Sequence, residues 1–120
     1  MKHRTQSGFT LIEVLVALAV LALALSAAMA AASALTRNTQ RQTDDMLAQI
    51  CADNALNAMR LSAQMPGIGQ GGLTCTQAQR DLEVRWTVQA TPNPSFRRVD
   101  IQVVEGTTPI LKATTVLGRY

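Results

Sequence analysis

The sequence predicts an α+β protein, in which one long N-terminal helix, membrane-spanning in its first half, packs against a small antiparallel β-sheet. Three observations support this. Residues 14–36 carry no charged side chain, a helical spacing of apolar residues continues beyond them, and the last third of the chain alternates between apolar and polar residues. A period near 3.6 residues indicates a helix, whereas a period of two indicates a strand.

The uncharged run is long enough to cross a membrane. Among its Ala, Leu and Val residues, only Ser26 and Ser33 interrupt it before Thr36. About 20 apolar residues in a helix span the hydrocarbon core of a bilayer. The basic residues K-H-R at positions 2–4 precede the run and predict that its amino end faces the cytoplasm, with everything after about Arg37 exported.

The helix is expected to continue past the apolar run, from about Phe9 to about Gln64. Pro66 and the glycines after it should end it. Residues 66–76, P-G-I-G-Q-G-G-L-T-C-T, lack the Gly-Lys-Ser/Thr of a phosphate-binding loop, so we expect a flexible connector held by Cys75. The expected core-facing positions of the second half recur every three or four residues: Leu47, Ile50, Cys51, Asn54, Ala58 and Leu61.

Three strands are expected after this connector. The first alternates from Leu82 to Ala90, the second from Val99 to Val103 after the turn T-P-N-P-S, and the third from Leu111 to Leu117 after G-T-T-P. Trp86 is the largest apolar side chain in these strands, and we expect it to pack on the helix rather than to stack on a ligand.

The amino terminus allows three interpretations. An ordinary secretory signal would be cut near the A-M-A, A-A-A or A-S-A triplets between Ala28 and Ala34, and an uncut apolar segment would be a plain anchor. Neither accounts for Glu13, since a carboxylate in an apolar helix is costly without a positive partner. Cutting between Gly8 and Phe9 would create an ammonium group four residues before Glu13, on the same helix face, or available to a neighbouring copy shifted along the axis.

The stretch K-H-R-T-Q-S-G-F-T-L-I-E-V-L-V-A-L resembles the leader and start of type IV pilins and type II secretion pseudopilins. The resemblance implies a pilin-like fold, cleavage after Gly8 by a prepilin peptidase and N-methylation of Phe9. It also implies that Glu13 forms an assembly salt bridge with the amine of a neighbouring subunit. The expected parts are then a leader peptide at residues 1–8, a transmembrane and assembly half-helix at 9–35, and a periplasmic domain at 36–120.

The exported part narrows the resemblance. The stretches I-C-A-D-N-A-L-N-A-M-R-L, M-P-G-I-G and V-R-W-T-V-Q-A-T-P-N-P-S-F-R-R-V-D-I-Q-V are similar to the I-type minor pseudopilins of type II secretion systems. This implies an inner-membrane, single-pass subunit that starts or caps a filament exporting folded proteins across the outer membrane. The implied partners are J-type and K-type minor pseudopilins, the major pseudopilin and the inner-membrane secretion platform.

Cys51 and Cys75 fall in the part that is expected to be exported, where oxidising conditions permit a disulfide. A bridge would close a loop of roughly 25 residues and stabilise the domain by about 3 kcal/mol. Alternatively, Cys51 is a small buried residue on the helix and Cys75 a loop residue.

Little in the sequence suggests catalysis, a cofactor or nucleic-acid binding. The net charge of +3 falls to +1 without residues 1–8, and the one histidine, His3, lies in the expected leader. Asp44 and Asp45 are expected on a solvated helix face rather than at a calcium site. Arg97 and Arg98 could face an acidic partner or simply lie at the surface of a strand and the end of a turn.

The sequence therefore predicts a structural, non-enzymatic minor pseudopilin without a cofactor. Two other functions stay open. A minor pilin of a type IV pilus, serving adhesion, motility or DNA uptake, would share the amino terminus. A soluble periplasmic binding domain would follow an ordinary signal peptide.

Overall fold

The computed structural model describes residues 7–119, so the basic residues at positions 2–4, including His3, lie outside the described residues. One helix is followed by four strands: α1 (Leu11–Leu61), β1 (Gly69–Gln77), β2 (Arg80–Ala90), β3 (Phe96–Glu105) and β4 (Thr108–Gly118). The predicted α+β, pilin-like arrangement of a long N-terminal helix with an antiparallel sheet is confirmed. The chain divides into two compact units, residues 1–39 and 40–120.

The N-terminal unit contains the apolar part of α1. Its most apolar window has a mean hydropathy of 2.6, and none of that window is buried, so α1 is long and apolar enough to cross a membrane. The polar residues of this segment bond to the helix itself. The Ser26 hydroxyl donates to the Leu23 carbonyl at 2.8 Å, and that of Ser33 to the Met29 carbonyl at 3.0 Å. Such bonds leave no hydroxyl proton unsatisfied where water is absent.

The sheet of the second unit is an antiparallel meander in the order β1-β2-β3-β4. The expectation of three strands and a flexible connector is wrong in one respect, because residues 69–77 of the connector form β1, paired with β2 from Gly69↔Val88 to Gln77↔Arg80. A two-residue loop joins β1 to β2, and both of its residues, Ala78 and Gln79, have positive φ. Hairpins of this type usually carry Asn-Gly, so Ala-Gln gave no turn signal.

The core lies between α1 and one face of the sheet. The sheet contributes the alternating residues expected from the sequence, among them Leu82, Val84 and Val99, which are all fully buried. The prediction for the helix face is largely wrong, although Cys51 is fully buried and Leu47 partly so. The buried helix residues are Ala48, Cys51, Ala52, Ala55 and Leu56.

Small side chains explain which helix face is buried. Three of the five buried helix residues are alanines, which allow a helix backbone to approach a sheet closely. Leu61, expected in the core, is 85% exposed, and Asn54 and Ala58 are exposed as well. The spacing of hydrophobic residues therefore predicted a helix face other than the alanine-rich face that packs closely on the sheet.

Trp86 packs against this core, as the sequence predicts, and is half-buried. Its indole lies over Gly71 of the neighbouring strand, and a Cβ atom at Gly71 would fall 2.6 Å from the Trp86 Nε1. A glycine is thus required at this position of β1, where the aromatic ring covers the gap left by the missing side chain.

Candidate assembly site

The residues around the predicted cleavage point are exposed and precede the helix. Ser7, Gly8, Phe9 and Thr10 have no regular secondary structure, and α1 begins at Leu11. No heavy atom lies within 4 Å of the place that a Cβ on Gly8 would occupy, and Phe9 is 84% exposed. Contacts within the described chain therefore do not require a glycine at position 8.

Thr10 and Glu13 form a reciprocal cap at the start of α1. The Glu13 backbone N–H donates to the Thr10 Oγ1 at 3.3 Å, and the Thr10 backbone N–H donates to the Glu13 Oε2 at 3.5 Å. This is the capping box of a threonine followed three residues later by glutamate. The sequence signal for this cap is T-L-I-E before an apolar run, and it gives Glu13 a backbone partner in addition to the expected ammonium group.

The Glu13 carboxylate also borders an apolar groove on the helix. An open depression of about 410 Å³ is lined by Phe9, Glu13, Val14, Ala17, Leu18 and Leu21. All the large apolar side chains of this group are exposed. A negative group beside apolar side chains could receive a cationic group carried on another apolar helix.

A disulfide joins Cys51 of α1 to Cys75 of β1, with 5.9 Å between their Cα atoms. Cys51 is fully buried, whereas Cys75 is partly buried against the core. The bond attaches an edge strand, which pairs with only one neighbouring strand, directly to the helix.

Arg80 binds two carboxylates from other elements. Its Nη1 donates to the Asp44 Oδ1 of α1 at 2.6 Å, while its Nε and Nη2 donate to the two oxygens of Glu105 on β3 at 2.9 and 2.5 Å. These hydrogen bonds lower the pKa of both carboxyls and raise that of Arg80, Glu105 being the larger cause for the arginine. Asp44, expected on a solvated helix face, is instead half-buried and paired with Arg80, which follows the β1–β2 loop.

The outer face of the sheet is polar. The Asp100 Oδ1 accepts hydrogen bonds from the Thr114 hydroxyl at 2.6 Å and the Arg98 Nε at 3.1 Å, and the pKa of Asp100 is lowered chiefly by Thr114. Asp100 and Thr114 also line an open cavity of about 480 Å³ together with Arg85 and Lys112. Arg98 is thus bound to its own strand.

Residues 7–119 contain no group of three or more His, Cys, Asp or Glu side chains that could hold a metal ion. The carboxylates at Asp44, Glu105 and Asp100 are instead engaged by arginine or threonine donors.

Comparison with known proteins gives matches along both units. The family described as type II secretion system (T2SS), protein I, matches residues 42–118, and the prokaryotic N-terminal methylation motif matches residues 3–29. A Klebsiella pneumoniae protein is 39% identical over 100 residues, which cover 83% of each chain. A Pseudomonas aeruginosa protein is 38% identical over 80% of this chain and 74% of its own. A Xanthomonas campestris pv. campestris protein is 32% identical over 100% of this chain and 82% of its own. All three are named type II secretion system protein I.

Proposed function

The chain belongs to the family of type II secretion system protein I and has the role of a minor pseudopilin, and we propose that it helps to start or cap the pseudopilus, the filament that exports folded proteins across the outer membrane. The observation that carries this is the family match over residues 42–118, joined to a methylation motif at the amino terminus. These matches favour secretion over a type IV pilus subunit and over a soluble binding domain behind an ordinary signal.

The proposed processing site is the bond between Gly8 and Phe9, with N-methylation of Phe9. Both residues are exposed and precede α1, so a peptidase could reach this bond without unwinding the helix. The resulting ammonium group would lie at the start of α1, four residues before Glu13.

Glu13 is the proposed assembly residue. Its carboxylate borders an exposed apolar groove, and a second helix seated in such a groove would bring its own N-terminal amine close to Glu13. In an apolar surrounding, an unpaired carboxylate costs about 3 kcal/mol, so pairing would select one axial offset between neighbouring helices. The Thr10 N–H would compete only weakly, since its hydrogen bond to Glu13 measures 3.5 Å.

The chain is a membrane-anchored secretion component that works with other components of the system. We propose the inner membrane as its location, with a single span and the C-terminal domain in the periplasm. The proposed partners are the J-type and K-type minor pseudopilins, the major pseudopilin and the secretion platform, with prepilin peptidase as processing enzyme. We propose no catalytic role.

Intact-mass and amino-terminal analysis of the chain from native membranes, combined with an exoprotein secretion assay, tests this function. We expect a chain that starts at methylated Phe9, and loss of exoprotein from the medium when its gene is deleted. A chain that starts after Ala30 or Ala34 would contradict the assembly mechanism. Normal secretion with loss of a surface pilus would favour the type IV pilus instead.

A further inference from the structure

Two arginines line an open cavity beside the C-terminal end of α1. The cavity has a volume of about 530 Å³, and Arg97 of β3 and Arg119, just after β4, lie on its wall. The rest of its lining comes from the residues that follow α1 and from the β2–β3 turn: Ala63, Gln64, Met65 and Pro94. Arg60 lines an adjoining depression that shares residues 63–65 with the cavity. We call Arg60, Arg97 and Arg119 the arginine surface.

None of these three arginines has a carboxylate partner within residues 7–119, whereas Arg80, Arg85 and Arg98 each form an ion pair there. Whether an arginine forms an ion pair depends on whether an acid lies near it in the sequence or in the fold. Arg85 and Arg98 each bind an acid two residues away on their own strand, and Arg80 reaches acids on two other elements. The arginine surface has no acid at such a spacing.

The topology also separates the arginine surface from acids of the second unit. The β1–β2 and β3–β4 loops lie at one end of the meander, and that end carries Asp44, Asp81 and Glu105. The β2–β3 turn and the end of β4 lie at the other end, where Phe96 pairs with Gly118, and this end carries the arginine surface. The positive charge there is therefore not neutralised by the unit's own acids.

Arg97 is the half-buried member of the arginine surface. Its Nη1 donates to the carbonyls of Pro94 and Phe96, both at 3.2 Å, and its Nε is buried without a hydrogen-bond partner among the described residues. A guanidinium group can donate five hydrogen bonds. Neutral carbonyls leave the positive charge of this guanidinium group uncompensated, so its exposed part at the cavity wall favours an incoming carboxylate.

We propose that the arginine surface is a docking site for an acidic segment of another protein, whose carboxylates bind Arg97 and Arg119. Arginine suits this task, because its planar fork matches the two oxygens of a carboxylate. Met65 and Pro94 offer apolar contact to the backbone and stems of such a segment, and Arg60 adds charge at the rim. The inference deepens the proposed function and rests on it for the identity of the partner as another secretion subunit.

A titration of the full chain in detergent micelles with a hexaglutamate peptide tests the site directly. The NMR signals of the arginine Nε–H groups report each side chain separately. We expect saturable shifts of Arg97 and Arg119, smaller shifts of Arg60, no change at Arg80, and reversal by added salt, because the contact is ionic. Hexaglutamine should cause no shift. Equal shifts at all exposed arginines would mean unspecific attraction and would overturn the proposal.

Substitution of single arginines tests which side chains contribute to the binding of hexaglutamate. We expect Arg119→Gln and Arg97→Gln to weaken hexaglutamate binding about tenfold each, whereas the control Arg85→Gln, on the outer face, should leave the affinity unchanged. Arg119 is exposed, so its variant should fold even if Arg97→Gln does not.

Unchanged affinity for hexaglutamate in Arg119→Gln would overturn the proposal. Displacement of the peptide by an equal concentration of inorganic phosphate would also overturn it. So would the same NMR shifts on concentrating the protein without peptide, because they would identify a second copy of the chain as the occupant. Because the titration needs no secretion, its failure is distinguishable from failure of the proposed function.

Discussion

Glu13 carries the only carboxylate among the described residues of the N-terminal unit, and it has two possible partners. In the uncut chain the Thr10 N–H donates to it at 3.5 Å, which is at the weak end of hydrogen-bond distances. After cleavage at the proposed site, an ammonium group would become available. A formal charge attracts a carboxylate more strongly than an amide does.

We expect Glu13→Gln to reduce exoprotein secretion severalfold while leaving the second unit folded. The substitution keeps the size of the side chain and its capacity to accept from Thr10, but removes the charge that would bind a neighbour's amine. Secretion is measured in a strain lacking the native gene, and folding by Trp86 fluorescence. The matched control is Asp53→Asn, an exposed helix carboxylate that accepts a hydrogen bond from Gln49. Full secretion by Glu13→Gln would remove Glu13 from the assembly mechanism.

The contact between Trp86 and Gly71 is a second feature decided by single residues. A Cβ on Gly71 would lie 2.6–2.8 Å from three atoms of the indole, closer than real Cβ contacts. The ring would have to move out of its position over β1, which would loosen its packing against the core.

We expect Gly71→Ala to lower the free energy of unfolding by about 1–3 kcal/mol, the usual cost of overpacking. Urea unfolding followed by the fluorescence of Trp86, the one tryptophan of the chain, measures this. Gly67→Ala is the control and should change stability little, since nothing lies within 4 Å of its added methyl group. Equal stability of both variants would show that the indole has room to shift.

At the scale of elements, β1 is held by features that its own sequence only weakly predicts. It contains three glycines in G-Q-G-G-L-T-C-T-Q, which reduces strand propensity, and it pairs on one side only. Backbone hydrogen bonds to β2 and the disulfide to α1 stabilise this strand despite its weak strand propensity.

We expect the disulfide to contribute about 3 kcal/mol to the stability of the second unit, in line with its loop length. The double variant Cys51→Ala, Cys75→Ala should therefore unfold at lower urea concentration, and hydrogen exchange should accelerate most in β1. Native protein should resist maleimide under denaturing, non-reducing conditions. Full labelling of both thiols in protein from the native compartment would contradict the prediction.

At the scale of the whole second unit, Arg80 joins three elements that are distant in sequence: α1 through Asp44, its own strand β2, and β3 through Glu105. Its side chain is 27% exposed and that of Asp44 28%, so water screens these ion pairs only in part. The lowered pKa values of both carboxyls make this cluster a source of pH-dependent stability.

The stability of the second unit should fall as the pH drops below about 5 and approaches the ordinary pKa values of carboxyl groups, which are near 4. The sign follows from the shifts. A carboxyl with a lowered folded pKa binds fewer protons when folded than when unfolded, so it stabilises the fold above the unfolded pKa, and this stabilisation is lost as the pH falls through the folded pKa.

Urea unfolding between about pH 7 and pH 3 measures this dependence. Arg80→Met should flatten it, although Asp100, whose pKa Thr114 lowers, should preserve part of the slope. Arg85→Met is the control and should keep the full slope, because the Arg85–Glu83 ion pair is exposed to water and joins neighbours on one strand, so it contributes little to folding stability. An unchanged slope in Arg80→Met would show that the acid sensitivity has another origin.

Features that depend on neighbouring residues follow from the amino-acid sequence alone. The apolar helix, the alternation of β2 and β3, and the motif from Gly8 to Glu13 are patterns of composition and spacing, and each survives any change in packing. They were sufficient for the fold class, which the structure confirms, and for the family, which the comparisons confirm.

Contacts between residues that are distant in sequence depend instead on the three-dimensional packing. This packing paired the glycine-rich β1 through a hairpin without the usual turn residues, selected an alanine-lined helix face in place of a more hydrophobic one, and brought Asp44 to Arg80. The physical reason is the same in each case. Close approach of backbones and ion pairing across elements depend on three-dimensional distance, which local propensity and periodicity do not encode.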